Sequence, residues 1–157
     1  MPYSIAKKEI PAQPVLVVRR RVKQSEIAAT LAEVLGQVFV YAQQNGIAPT
    51  GQPFTRYLDW GPEVTIEPGI PVTAHAALPS QGDVRADILP GGFVAFTTHA
   101  GPYDKLHDAH AAVQHWIEAE GLTASGAPWE VYTTDPGDYP DPKDWSTDIF
   151  WPVAGRA

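Results

Sequence analysis

Four consecutive aliphatic residues, Val15 to Val18, run into Arg19, Arg20 and Arg21 and then Val22, the pattern of a buried strand whose end reaches solvent. After Ser25, read as an N-cap, the period changes. Ile27, Leu31, Val34, Leu35, Val38 and Ala42 recur at three-and-four spacing and predict a one-sided helix to about Gln44. Asn45-Gly46 supplies the left-handed residue that ends such a helix, and extended segments follow at about 54–59 and 64–67. The same order then returns. A strand from about Gly92 to His99 passes through Gly101-Pro102 into a helix from Tyr103 to about Glu120, with Tyr103, Leu106, His110, Val113 and Ile117 as its stripe and Gly121 as its stop. Strands at about 128–134 and 147–151 complete this second set. Extended pieces at 72–78 and 84–89 join the two sets around the turn Pro79-Ser80-Gln81-Gly82.

The recurrence reaches the residues themselves. Gly46-Ile-Ala-Pro-Thr-Gly-Gln-Pro-Phe-Thr-Arg-Tyr57 returns 75 residues later as Gly121-Leu-Thr-Ala-Ser-Gly-Ala-Pro-Trp-Glu-Val-Tyr132. Gly46/Gly121, Gly51/Gly126, Pro53/Pro128 and Tyr57/Tyr132 are identical, where composition alone would give about one match. A duplicated module follows, and with it an α+β fold: two pseudo-twofold strand–helix–strand–strand units forming one antiparallel sheet with both helices on one face. The expected organisation is a single domain over 1–157, with halves at about 12–78 and 84–154. Strand alternation groups Tyr57 and Tyr132 with Glu130 on the sheet face away from the helices and turns Trp129 toward them. A partly apolar groove at the seam between the halves is the expected binding place.

Composition narrows the partners. A 157-residue chain that is 44% hydrophobic can fill one core, and its sixteen prolines and thirteen glycines fall singly between apolar segments, as turn punctuation does. With no cysteine there is no disulfide framework and no thiolate nucleophile or ligand. The N-terminus lacks the apolar stretch of a signal peptide, and no run of about eighteen apolar residues occurs, so a cytoplasmic protein without membrane contact is expected. A net charge of −7 with one short arginine cluster argues against nucleic acid and mildly favours cationic ligands. His107 and His110 lie near Asp104 and Asp108 on one helix, but no third well-placed ligand can be named, and neither a metal nor a cofactor is expected. No Ser-His-Asp order, phosphate-binding glycine loop or paired-carboxylate spacing stands out.

The motifs Leu89-Pro-Gly-Gly-Phe-Val-Ala95, His99-Ala-Gly-Pro-Tyr-Asp104, Trp116, Gly126-Ala-Pro-Trp-Glu-Val-Tyr132, Asp135-Pro136 and Trp145-Ser-Thr-Asp-Ile-Phe-Trp-Pro-Val153, taken in order, resemble the GyrI-like family. Its members are also called effector-binding domains of AraC-type and MerR-type multidrug regulators. In the first half, Gly51-Gln-Pro-Phe-Thr-Arg-Tyr57 and Gly69-Ile-Pro-Val72 agree with the same pattern. The resemblance implies a groove in which an acidic side chain meets lipophilic, planar cations among aromatic rings. Glu130, the carboxylate inside the matched motif, is then the charge partner; Tyr57, Tyr132, Phe54 and Trp151 are walls, and His99 and Tyr103 line the groove or cap the helix entrance. A buried carboxylate without a counter-charge is costly, and a lipophilic cation can supply that charge without needing hydration. Ring faces add about 0.5–2 kcal/mol of cation–π attraction. About fourteen residues precede the first expected strand, too few for a helix-turn-helix, so the chain resembles the stand-alone members. Some of these bind drugs, some inhibit DNA gyrase through protein contact, and one branch hydrolyses cyclopropane-bearing toxins. Small-molecule binding is the leading reading; in the hydrolase alternative Glu130 serves as general base or acid and Tyr57 or Tyr132 polarises the leaving group, and a protein-interaction module acting on gyrase is the second alternative.

Overall fold

In the computed structural model residues 3–73, 84–134 and 138–154 are described. The expected turn at 79–82, nearly all of the segment 72–78, and the motif residues Asp135 and Pro136 lie outside them. Among the described residues the elements are β1 (Ala6–Ile10), β2 (Gln13–Val17), β3 (Arg20–Lys23), α1 (Ile27–Gln44), β4 (Phe54–Tyr57), β5 (Glu63–Pro71), β6 (Arg85–Leu89), β7 (Gly92–Ala100), α2 (Leu106–Ala119), β8 (Thr123–Ala124), β9 (Trp129–Tyr132) and β10 (Ser146–Ala154). The fold is α+β, and the chain divides into two compact units, Ala12–Pro90 and Met1–Pro11 with Gly91–Ala157.

The duplication is visible in each unit's own geometry. In the Ala12–Pro90 unit the antiparallel order is β4-β5-β2-β6, with β3 also on β5; in the other it is β1-β7-β10-β9, with β8 on β10. Phe54 pairs with Gly69 and Tyr57 with Ile66, just as Trp129 pairs with Phe150 and Tyr132 with Thr147. Ahead of these strands the Thr50 N–H donates to the Pro71 carbonyl and the Ser125 N–H to the Pro152 carbonyl, both at 2.9 Å. Both helices stop the same way. Gly46 and Gly121 take φ of 66° and 71°, and the next residue folds back, Ile47 N–H onto the Ala42 carbonyl at 2.8 Å and Leu122 N–H onto Ile117 at 3.0 Å.

Each helix buries part of its predicted stripe on its own sheet: Ile27, Leu31 and Leu35 of the first stripe and Tyr103 and His110 of the second are only half-buried, while Tyr41 and Ala109 are buried without having been foreseen. Val34, Val38, Tyr41 and Ala42 of α1 pack with Leu16, Val18, Ile70 and Val72, while Leu106, Ala109, Val113 and Ile117 of α2 pack with Ala95, Ile149 and Val153. Each large aliphatic side chain so buried contributes about 1.5–3 kcal/mol.

Three local expectations differ from the structure. β1 was not foreseen as a strand, because Ala-Lys-Lys-Glu-Ile is charged and mostly exposed; it pairs on one side only, with β7, and lysines on such an edge discourage further pairing. The strand expected over Val15–Val22 is two strands, β2 and β3. Opposite the gap lie Glu67 and Pro68, and the Val18 N–H reaches the Pro68 carbonyl at 3.1 Å while Arg19 turns to Glu67. Ser25 is not the N-cap: it sits within a short 3₁₀ turn, Gln24–Glu26, where the Glu26 carboxylate accepts the Lys23 N–H at 3.0 Å. The three clustered arginines are engaged within the chain, Arg19 with Glu67 at 2.9 Å, Arg20 with Gln37 at 3.4 Å and Arg21 with Asp59 and Glu63 at 3.1 and 3.2 Å. Among the described residues no helix is long and apolar enough to cross a membrane.

Candidate functional site

Register assigns the side chains of the second unit to faces. Thr97, Ile149 and Glu130 are successive cross-strand partners, as are His99, Thr147 and Tyr132. Cross-strand partners share a face, and Ile149 packs in the α2 core, so this whole row, with Trp151, faces α2. The expectation that Glu130 and Tyr132 lie on the sheet face away from the helix, with Trp129 toward it, is therefore corrected. Trp129 is on the far face, stacked on Phe150 with centroids 5.4 Å apart and planes at 12°. Alternation decides which residues share a face; it does not say which face the helix covers.

Thr97, His99, Glu130 and Thr147 are all buried. Glu130, 2% exposed, lies beneath α2 and has both oxygens occupied as acceptors. The His110 Nε2 stands 2.8 Å from Oε1, and the Tyr132 hydroxyl donates to Oε2 at 3.0 Å. On the other side of the imidazole the Trp151 Nε1–H donates to His110 Nδ1 at 2.9 Å. An indole nitrogen can only donate, so Nδ1 must be an acceptor and the ring proton must sit on Nε2, directed at the carboxylate. His110 is thus drawn as the neutral tautomer. Among the described residues no lysine or arginine pairs with Glu130. A carboxylate taken out of water and held only by neutral donors retains a need for positive charge.

Aromatic rings border it. Tyr103 stands 5.4 Å from Tyr132 and 4.6 Å from Trp145, centroid to centroid, and Trp151 meets the His110 ring at 6.0 Å. Trp151 also lines a hollow of about 300 Å³ with Ile117, Leu122, Gln114 and Glu118. In the same buried row Thr147 Oγ1 has no hydrogen-bond partner among the described residues. Glu130, Tyr132, Tyr103 and Trp151 are thereby brought together, and His110 joins them. The signal for His110 was present in the sequence, a histidine inside an apolar helical stripe.

The other candidates fall elsewhere. His99 is buried, its Nε2–H donating to the Pro102 carbonyl and its Nδ1 accepting from the Tyr3 hydroxyl, both at 3.0 Å, so it braces the entrance to α2. Burial, and then the negative charge of Asp108, hold the Tyr3 hydroxyl above the ordinary tyrosine range. Phe54 and Tyr57 belong to the Ala12–Pro90 unit: Phe54 is buried, and Tyr57 is half-buried with its ring edge-on to Trp60 at 5.9 Å. In that unit Thr55, also buried, occupies the register position of Glu130. Its buried carboxylate is instead Glu67, 1% exposed, which accepts from Arg19 Nε at 3.0 Å and Nη2 at 2.9 Å. His107 pairs with Asp108 at 3.0 Å in the open, and no group of three or more metal-ligating side chains occurs among the described residues.

Residues 3–154 match the model of a family described as the GyrI-like small molecule binding domain. No curated protein matches the chain. Among solved structures the chain superposes on the EcmrR C-terminal domain with a TM-score of 0.87 at 26% identity, covering 99% of this chain and 100% of that one. On the EcmrR chain of an EcmrR–DNA complex the TM-score is 0.86 at 24% identity; 98% of this chain is covered, and it spans 58% of that chain's length. SAV2435 bound to tetraphenylphosphonium is similar in fold, with a TM-score of 0.67 at 15% identity over 99% of this chain and 95% of that one.

Proposed function

This chain belongs to the GyrI-like small-molecule-binding family, and from that premise we propose that its ligands are hydrophobic and positively charged, with Glu130 as their charge partner. The observation that carries this reading is the buried carboxylate that accepts from His110 and Tyr132 and that, among the described residues, pairs with no lysine or arginine. A hydrated ion such as ammonium would have to shed its water to reach it; a lipophilic cation, whose charge is spread under aromatic groups, loses far less. Tyr132, Tyr103 and Trp151 offer ring faces beside that charge. Tetraphenylphosphonium, the molecule bound by the fold relative SAV2435, has this chemistry. Ring faces and one charge discriminate weakly among shapes, so binding is broad.

The test pairs tetraphenylphosphonium with neutral triphenylphosphine oxide against wild type and Glu130→Gln. The amide keeps the shape and removes the charge, so the cation should weaken by about ten- to a hundredfold, the scale of a charge-assisted contact, and the neutral compound by less than about threefold. Equal losses would remove the electrostatic role. The Tyr132–Glu130 contact at 3.0 Å also suits the hydrolase reading, with the carboxylate activating water and the phenol polarising a leaving group. Incubation with a cyclopropane-bearing alkylator separates the two: repeated turnover means catalysis, whereas stoichiometric protection means binding.

A further inference from the structure

We propose that Trp151 and His110 determine the site's preference for cations, because the indole N–H holds His110 neutral and thereby leaves Glu130 a negative charge with which no lysine or arginine pairs among the described residues. This rests on Glu130 being the ligand's charge partner. The three groups form a one-way chain of donors, Trp151 Nε1–H to His110 Nδ1 at 2.9 Å and His110 Nε2–H to Glu130 Oε1 at 2.8 Å. An imidazolium carries a proton on both nitrogens and can accept from neither. Protonating His110 would therefore set two N–H groups against each other where one bond now exists. It would also place a positive ring against Oε1, so the site would hold its own cation and a ligand's charge would find its partner already matched.

Other titratable side chains described nearby have partners of their own. β9 presents Glu130 and Tyr132 to His110; β10 presents Trp151, Ile149 and Thr147, none of which titrates. On β7 the titratable group of that face is His99, both of whose nitrogens are engaged by Tyr3 and Pro102. On α2 itself His107 and Asp108 pair with each other in the open. Tyr103 stands against Tyr132 and Trp145. A phenylalanine at 151 would keep a ring wall while withdrawing the donor, and a glutamine at 110 would keep a donor for Glu130 while being unable to titrate.

Three proteins decide it: wild type, Trp151→Phe, and Trp151→Phe combined with His110→Gln. Tetraphenylphosphonium affinity is measured by calorimetry as pH is lowered from about 7.5 to 5.5, across the range in which histidines ordinarily take up a proton. Wild type should change by less than about threefold over the upper half of that range, and Trp151→Phe should lose about tenfold or more, since the indole donor that opposed the second ring proton is gone. The double variant should be flat again. Ring ¹⁵N shifts of wild-type His110 should show a proton on Nε2 and a hydrogen-bonded, unprotonated Nδ1. A pH profile of Trp151→Phe that overlays wild type, or a ring protonated on Nδ1 in wild type at neutral pH, overturns the inference. Should Trp151→Phe not fold, the wild-type ring shifts decide alone. Absence of tetraphenylphosphonium binding by wild type at every pH would instead sink the Glu130 reading.

Discussion

Two histidines, one on β7 and one on the helix α2 that covers that face of the sheet, are put to different uses. His99 is locked between a carbonyl, which can only accept, and the Tyr3 hydroxyl, so its tautomer serves the α2 entrance; His110 is locked between an indole and a carboxylate, so its tautomer serves a charge. The Tyr3 contact makes a pH prediction. Its hydroxyl is held above the usual range by burial and by Asp108, which means the folded chain favours the neutral phenol. The resulting stability is fully present below the ordinary tyrosine value, near ~10, and is lost as pH rises through the raised one. Thermal melts from about pH 9 to 11 should show a decline in wild type that is smaller in Tyr3→Phe, which has no proton to lose. Matching declines would mean that Tyr3 stays neutral in neither state preferentially. Glu130 was legible as a residue because it is the carboxylate inside the motif that resembles the family, Gly126 to Tyr132. Glu67 was not, since Val64-Thr-Ile-Glu67 alternates like a solvated strand and nothing in it announces Arg19.

At the scale of elements, the strands owe their positions to close backbone approaches as much as to apolar content. β5 crosses β2 at Gly69, and a Cβ there would run into the Leu16 carbonyl oxygen and Val17 Cγ1. Backbone cannot step aside as a long side chain can. Gly69→Ala should therefore cost about 1–3 kcal/mol or more, the scale of overpacking. The same substitution on α1 should have the opposite sign: Gly36 has open space where its Cβ would go, so Gly36→Ala should add about 0.5–1 kcal/mol through helix propensity. Urea denaturation of both variants checks the pair, and equal effects would mean that the Gly69 approach relaxes freely. The helix and three strands of each repeat were readable from period and punctuation. β1 was not, because a charged edge strand has neither an apolar face nor a partner nearby in the chain; its partner β7 lies more than eighty residues on.

For the molecule as a whole, a ligand that binds the folded chain and not the unfolded one must raise its stability by mass action. At about one hundred times its dissociation constant tetraphenylphosphonium should add ~2.7 kcal/mol, which for a chain of this size is a shift of roughly 5–11 °C in the melting midpoint. A midpoint unmoved at such occupancy would mean that the cation does not distinguish folded from unfolded chain. The acidic balance, −7, adds a long-range attraction for cations that salt screens, while the contact at buried Glu130 is screened much less. Periodicity and repetition are local properties of a chain, and they were enough to establish two equivalent α+β units and the centre of the stripe that each helix buries, while the carboxylate worth watching was singled out by the resemblance to the family's motif. Which way that carboxylate points is not local. A strand's period of two sorts side chains into two sets, and the set that meets the helix is chosen by pairing register and by where the helix docks. Those long-range choices set His110 and Trp151 against Glu130, three residues on three different elements.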